Sequence, residues 1–244
     1  MQHSSEQAPG HPEIVRIVAP NPGPMTLEGT NTYLYGAGPC VAIDPGSEAP
    51  EHLEAIRAAA AERGGIGLVL LTHSHGDHSA GADRLGAEVV LPEGGETRAR
   101  LRVLATPGHA ADHVCFLAED GVCFSGDLVL GLGSTIVPPG GGALAAYMDS
   151  LRLLQAEEIE LICPGHGPWI TEPAAKLAEY LEHREMRERR LVAALEEGER
   201  SRAVLLASVW DDVPAELLPM AAMAMEAHLE KLDEGGRLPE GLTA

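Results

Sequence analysis

The chain has 244 residues, 45 % of them hydrophobic, enough for one large domain or one domain with a small appendage. Its 17 basic residues face 37 acidic ones, a net charge of −20. That charge repels a phosphate backbone unless basic residues are locally concentrated, which disfavours non-specific nucleic-acid binding.

The longest apolar runs fall far short of the roughly 18–20 residues of a membrane span, so no membrane partner is expected. The polar start MQHSSEQAPGHPE lacks the basic and apolar parts of a signal peptide. A cytoplasmic enzyme with a disordered lead-in over residues 1–13 is the expectation. NTYLYG and CVAID then read as strands of a β-meander within residues 14–46, parted by the turn signal Gly-Ala-Gly-Pro. APEHLEAIRAAAAERG has helical composition and stops at Gly64-Gly65. IGLVLL is a short continuous apolar run typical of a buried strand. AEVVLP, RLRVLATPGH, HVCFLA and VCFSGD follow as further strands, AAYMDSLRLLQAEE as a helix, and IELICPGHG as a strand leading into a loop. Strands mixed with helices over residues 14–172 indicate an α/β domain. From 173 to 244 the texture is helical, with GRLPEG as a stunted wing of a winged-helix-like bundle. Cys40, Cys115, Cys123 and Cys163 form no CxxC pair and read as buried reduced thiols.

The chemistry concentrates in HSHGDH, which holds His73, His75, Asp77 and His78. On one helix, positions i and i+2 point about 200° apart and cannot converge on one ion. On one strand, His78 would face away from the other three. A tight loop after the strand, turned at Gly76 and entering a helix at Asp77 and His78, lets all four point into one space. His109 follows RVLATPG, Asp127 follows VCFSG and His166 follows LICPG, each just beyond an apolar strand. Polar ligands at the ends of buried strands build a rigid pocket on one edge of an α/β domain. Seven such side chains suffice for two ions if one carboxylate bridges them.

HSHGDH, TPGHAADH, SGD and CPGHG, in this order, resemble the motifs of the metallo-β-lactamase superfamily. The resemblance implies a four-layer αβ/βα sandwich. It also implies one metal held by His73, His75 and His109, a second held by Asp77, His78 and His166, and Asp127 bridging the two. NPGPMTLEGTNTYLYG, DPG at residues 44–46 and the tail with YLEHREMRERRL resemble the β-lactamase-like protein 2 group, which adds a C-terminal winged-helix-like domain. Some members of that group are similar to endoribonucleases, others to thioesterases acting on carrier-bound acyl chains. Departures separate the chain from other branches. The bridging position is Asp127 rather than a cysteine. The second motif position is His75 where flavodiiron oxidoreductases usually carry Glu, and a flavin domain is not seen.

The leading expectation is a dinuclear zinc-dependent hydrolase. A metal-bridging hydroxide would attack an ester, thioester or amide of a small molecule or carrier-bound acyl group. The ligand set also suits iron or manganese. Asp77 is the catalytic candidate, orienting the nucleophile and relaying its proton. The alternative on the same metals is a phosphodiesterase or endoribonuclease acting on single-stranded RNA, which the net charge disfavours. A narrow apolar tunnel points to acyl groups, an open arginine-lined cleft to RNA. An iron oxidoreductase and a non-catalytic binding protein stand behind these. Outside the ligand set, His113 reads as a satisfied structural histidine, and Asp44 as a turn-former ahead of a role behind the ligands. His183, His228 and His52 read as surface or packing residues. Arg184, Arg187, Arg189 and Arg190 read as a solvated helix face ahead of an anionic-substrate contact. Arg98, Arg100 and Arg102 alternate like one exposed strand face. The run MAAMAM reads as helix core or the face of a homodimer, and GLGSTIVPPGGG as a mobile loop beside the site, with Ser134 and Thr135 within reach of substrate.

Overall fold

Alternating burial along His11–Val18 (β2), with Ile14, Val15 and Ile17 inside, makes this segment a strand, and Ser5–Ala8 (β1) pairs with it antiparallel. The computed structural model describes residues 5–243. The lead-in expected over residues 1–13 is therefore strand from Ser5 onward, with residues 1–4 outside the described part. The physical reason is the ladder itself. Backbone pairing to β2, burial of Ala8 and the Arg16–Glu6 ion pair hold a segment whose polar composition alone suggests disorder.

Strands Asn31–Tyr35 (β3), Cys40–Ile43 (β4), Ile66–Leu70 (β5) and Glu88–Val90 (β6) complete a six-stranded sheet in the order β1-β2-β3-β4-β5-β6. The first four strands are antiparallel neighbours, whereas β4, β5 and β6 run parallel. Parallel pairing needs crossovers. They come from Pro50–Ala61 (α1) and from the short helix Gly76–Ser79 (α2) with a 3-10 turn at Ala82–Leu85. The second sheet holds Thr97–Arg98 (β7), Leu101–Ala105 (β8), Val114–Ala118 (β9), Val122–Gly126 (β10) and Leu161–Pro164 (β11), ordered β11-β10-β9-β8-β7. Its one parallel pair, β10 with β11, is crossed over by Ala143–Gln155 (α3). The alternating arginines are not one strand face. Ala99 and Arg100 both have positive φ and turn the chain between β7 and β8, so Arg98 pairs with Leu101 and Arg102 with Thr97.

The strand period of two sorts side chains between layers. Tyr33, Ile43 and Leu70 of one sheet meet Val103, Phe116 and Phe124 of the other. The opposite faces bury Leu34, Ala42 and Val69 under Leu53 and Ile56 of α1, and Cys115 and Cys123 under Leu144 and Leu151 of α3. The result is helix, sheet, sheet, helix, the expected four-layer sandwich. All four cysteines are buried and free.

Pro173–Glu196 (α4) spans two cores: Leu177 and Tyr180 pack with α3, whereas Leu191 and Leu195 join Arg202–Val209 (α5) and Leu218–Glu234 (α6). Ser201 caps α5 by accepting the Val204 amide. After α6, GRLPEG forms no hairpin wing; a single bridge joins Ser201 and Thr243. Of the MAAMAM run, Ala221 and Met225 lie in this core and Met223 is exposed. Among the described residues no helix is long and apolar enough to cross a membrane.

Candidate metal centre and its adjoining cavity

The strand ends that carry the candidate ligands meet at one edge of the sandwich. β5 delivers Thr72 and His73, and α2 then turns Asp77 and His78 inward, as the spacing of HSHGDH requires. β8 leads to His109, β10 to Asp127, and β11 to His166. Two glycines explain the recurring Gly beside these ligands. A Cβ on Gly165 would lie 2.4 Å from Asp127 Oδ1 and 2.7 Å from His78 Cε1. Gly108 has φ +140° and packs against the Tyr147 backbone, where a Cβ would come within 2.5 Å. Asn31, at the start of β3, clamps the β11 end by donating from its side chain to the carbonyls of Pro164 and Gly167.

All seven side chains converge, in two groups. His73, His75 and His109 form one, and Asp77, His78, Asp127 and His166 the other; within each group the candidate ligand atoms lie within 4.8 Å of one another. Asp127 touches both. Its Oδ1 is 3.3 Å from His78 Nε2 and 3.4 Å from His166 Nε2, and its Oδ2 is 3.6 Å from His109 Nε2. Asp77 Oδ2 is 3.4 Å from His166 Nε2. His75 is exposed and Asp77 half-buried, so the centre opens to water on their side.

The surrounding hydrogen bonds fix which ring nitrogen faces inward. His109 Nδ1 donates to the Ile136 carbonyl, His166 Nδ1 to that of Gly29, and His78 Nδ1 to Asp44 Oδ2. Thr72 Oγ1 donates to Asp44 Oδ2 and accepts from His73 Nδ1. With Nδ1 so engaged, four Nε2 atoms point into the site, the arrangement of metal-binding histidine. His75 Nδ1 sits 3.0 Å from both His73 Nε2 and His109 Nε2, and His78 Nε2 sits 3.3 Å from His166 Nε2. Facing lone pairs at that distance repel unless a cation or proton lies between them. Two nitrogens bound to one tetrahedral zinc lie roughly 3.3 Å apart. Asp127 Oδ1, buried without a hydrogen-bond partner, is a further donor atom in search of a cation. The residues fit a pair of metal ions.

Proton affinities differ between the groups. Burial pushes His73 down to about 2, helped by His78 and His113, and also lowers His109. In the other group, Asp127 and Asp77 outweigh burial and lift His166 to about 9, while Asp127 and Asp44 lift His78 well above its ordinary value. The hydrogen bond from His166 holds the Asp77 carboxyl at about 2. A metal held by the second group would have to displace protons.

Residues behind the ligands repeat one pattern. Asp44 has positive φ and does both jobs considered for it, turning the chain and orienting His78. His113 is the satisfied histidine expected: Nδ1 bonds Thr106 Oγ1 and Nε2 accepts the Asp127 amide, with burial lowering it to about 3. Thr135 is buried, its hydroxyl donating to the Asp127 carbonyl. Thr72 escaped sequence reasoning, although its place directly before His73 was a signal; Thr135, expected within reach of substrate, lines the adjoining cavity and also holds the Asp127 carbonyl.

A cavity of about 320 Å³ opens beside His109 and Asp127 and runs under α4 and α6. Its walls are mainly apolar, among them Met25, Leu130, Ile136, Trp210, Leu217 and Ala224. Arg184 and Arg187 also line it, and here the structure corrects the solvated-face reading: both are 3 % exposed. Arg184 donates to Ser134 Oγ and the Thr135 carbonyl; Arg187 donates to the Val209 carbonyl and the Asp212 carboxylate. They continue the stripe Leu177, Tyr180, Leu191, Leu195, a spacing that marks the packed face of α4. Arg189 and Arg190 form surface pairs with Glu182 and Asp211. The loop of residues 134–136 is tied down by Arg184 and His109 rather than free.

Residues 25–95 and 87–166 match the metallo-β-lactamase superfamily. The chain belongs to that superfamily, as one of its hydrolases. Among curated relatives, it is 34 % identical over 254 residues to a β-lactamase-like protein 2 homolog of Caenorhabditis elegans, covering 91 % of this chain and 85 % of that one. It is 38 % identical over 219 residues to an atrochrysone carboxyl ACP thioesterase of Aspergillus chevalieri, covering 79 % and 68 %. In fold it resembles a β-lactamase domain protein from Burkholderia ambifaria, with a TM-score of 0.81, 20 % identity and coverage of 96 % and 89 %.

Proposed function

We propose that this chain is a dinuclear, zinc-dependent hydrolase of thioesters, or of related esters, whose acyl group lies in the cavity beside His109 and Asp127. The leaving group is the thiol of a small molecule or an acyl carrier. One observation carries the choice of substrate: the space adjoining the metal centre is a largely carbon-lined cavity with two buried arginines rather than an open arginine-lined cleft. An apolar acyl chain gains from that burial, by about 25 cal/mol per Å². A polyanionic RNA strand does not, and the charge of −20 opposes it. The resemblance to a relative named as an ACP thioesterase supports the same reading.

His73, His75 and His109 would hold one ion, Asp77, His78 and His166 the other, and Asp127 would join them. Bound there, the pair supplies water activation near neutral pH and polarisation of the acyl carbonyl. Asp77, half-buried and held ionised by His166, orients the attacking water and accepts its proton. Asp44, the Gly29 carbonyl and the Ile136 carbonyl hold the rings in place, so the residues need little reorganisation during reaction. The apolar walls exclude water from the acyl chain.

The test is a parallel assay of acyl thioesters, a lactone, a β-lactam, bis-nitrophenyl phosphate and single-stranded RNA. Thioester turnover should vanish on chelation and return with zinc. RNA cleavage without thioester turnover, lost in Asp77→Ala, would replace this reading with the nuclease.

A further inference from the structure

The cavity has a basic patch that hydrolysis does not use. Arg184 lines it and forms no ion pair among the described residues. Two of its bonds go to neutral oxygens, those of Ser134 and Thr135, and its Nε has no hydrogen-bond partner. Its guanidinium sits 5.3 Å from the Tyr147 ring centroid. Arg187 is balanced by Asp212, yet its Nε is also unpartnered. His228 is fully buried, lines the same cavity, and has both ring nitrogens without a hydrogen-bond partner. The carboxylate nearest it, Glu188, is 3.9 Å away, beyond hydrogen-bond reach, and is engaged by Lys231 and Arg237.

Of the charged groups lining this space, Asp127 belongs to the candidate metal ligands, Asp212 answers Arg187 from outside, and burial with the neighbouring arginines holds His183 neutral, at about 4. Arg184 remains, together with donor nitrogens that lack acceptors. A buried guanidinium without a counter-charge, among unsatisfied donors, is costly. A plain hydrocarbon chain would seal that cost in.

We infer that the cavity recognises an acyl group bearing an anionic oxygen remote from the scissile bond, such as a carboxylate or an ionised enol or phenol, received by Arg184 with Arg187 and His228 beside it. This rests on the hydrolase reading and specifies its substrate. The bound oxyanion neutralises the Arg184 charge, while the carbon walls hold the connecting chain.

The experiment titrates the metal-loaded protein calorimetrically with non-hydrolysable cysteamine amides of four to ten carbons, each compared with its ω-carboxyl counterpart. At one chain length the ω-carboxyl amide should bind at least about tenfold more tightly. Arg184→Met should abolish that preference. Because Arg184 also ties down Thr135, His228→Phe serves as a second variant and should reduce the preference. Equal binding of the paired amides in the wild type overturns the inference, as does a preference that survives in both variants. The two proposals fail separately. Arg184-dependent binding without cleavage of any thioester refutes the hydrolase. Cleavage of plain thioesters with no carboxyl preference refutes the oxyanion subsite.

Discussion

The metal edge and the helical wall face each other across one cavity and are built on opposite principles. At the metal edge, four strand ends supply polar side chains whose partners fix both position and tautomer, as where Asp44 holds His78 and Ile136 holds His109. In the wall, α6 and the segment 210–217 before it supply a carbon surface, and the polar groups beside it, Arg184 and Arg187 of α4 and His228 of α6, keep nitrogens without hydrogen-bond partners. The difference separates chemistry from choice of substrate. Substitutions at the edge should alter turnover whatever the acyl group, and substitutions in the wall should alter which acyl group is accepted.

The largest break in that division is Asp127→Ala, which removes the carboxylate that faces both ligand groups. Turnover should fall to background for every thioester, and metal content should drop with it. Asp44→Ala leaves all seven ligands but frees the His78 ring; loss of such an outer hydrogen bond costs about 10–100-fold in metal affinity or activity. Elemental analysis alongside kinetics distinguishes the two variants. In the wall, Ala224→Phe narrows the cavity without touching a ligand. It should lower kcat/KM for long acyl thioesters about tenfold or more, leave short ones nearly unchanged, and leave metal content intact. An equal loss for all chain lengths would break the comparison.

The smallest effect lies at the rim of the wall. The Arg187 hydrogen bonds lower the Asp212 carboxyl pKa. A depressed folded-state pKa means that this stability is present above the unfolded carboxylate value and is lost as pH falls through the folded one. Asp212→Asn should therefore cost at most about 1 kcal/mol at neutral pH, since the carboxylate is largely exposed. The gap in melting temperature from the wild type should close as pH drops below about 4. A gap that persists in acid would show that packing, not charge, sets the role of Asp212.

The two regions were also unequally legible in the sequence. His73, His75, Asp77, His78, His109, Asp127 and His166 stand out because each is a residue type costly to bury, placed directly after an apolar run and often beside glycine. The strands and helices follow from periodicity. What escaped is what pairing and packing decide. Ser5–Ala8 is polar and becomes a strand only because β2 offers it an edge. Ala99 and Arg100 are not the Asn-Gly type of turn, so the β7–β8 hairpin leaves no signature. Arg184 and Arg187 look solvated because charged residues usually are; only their place in the stripe from Leu177 to Leu195 marks them as inward. His228 shares a stripe with Ala221, Met225 and Leu232 in the same way. The cavity itself joins segments about 200 residues apart, which no local pattern can reveal.

The central claim is the two-metal centre, and elemental analysis of the purified protein after expression with supplemented zinc tests it most directly. About two transition-metal ions per chain should be found, with loss of both ions and thioester turnover under chelation and recovery of both on adding zinc back. Fewer than one ion per chain, with activity indifferent to chelation, would contradict it.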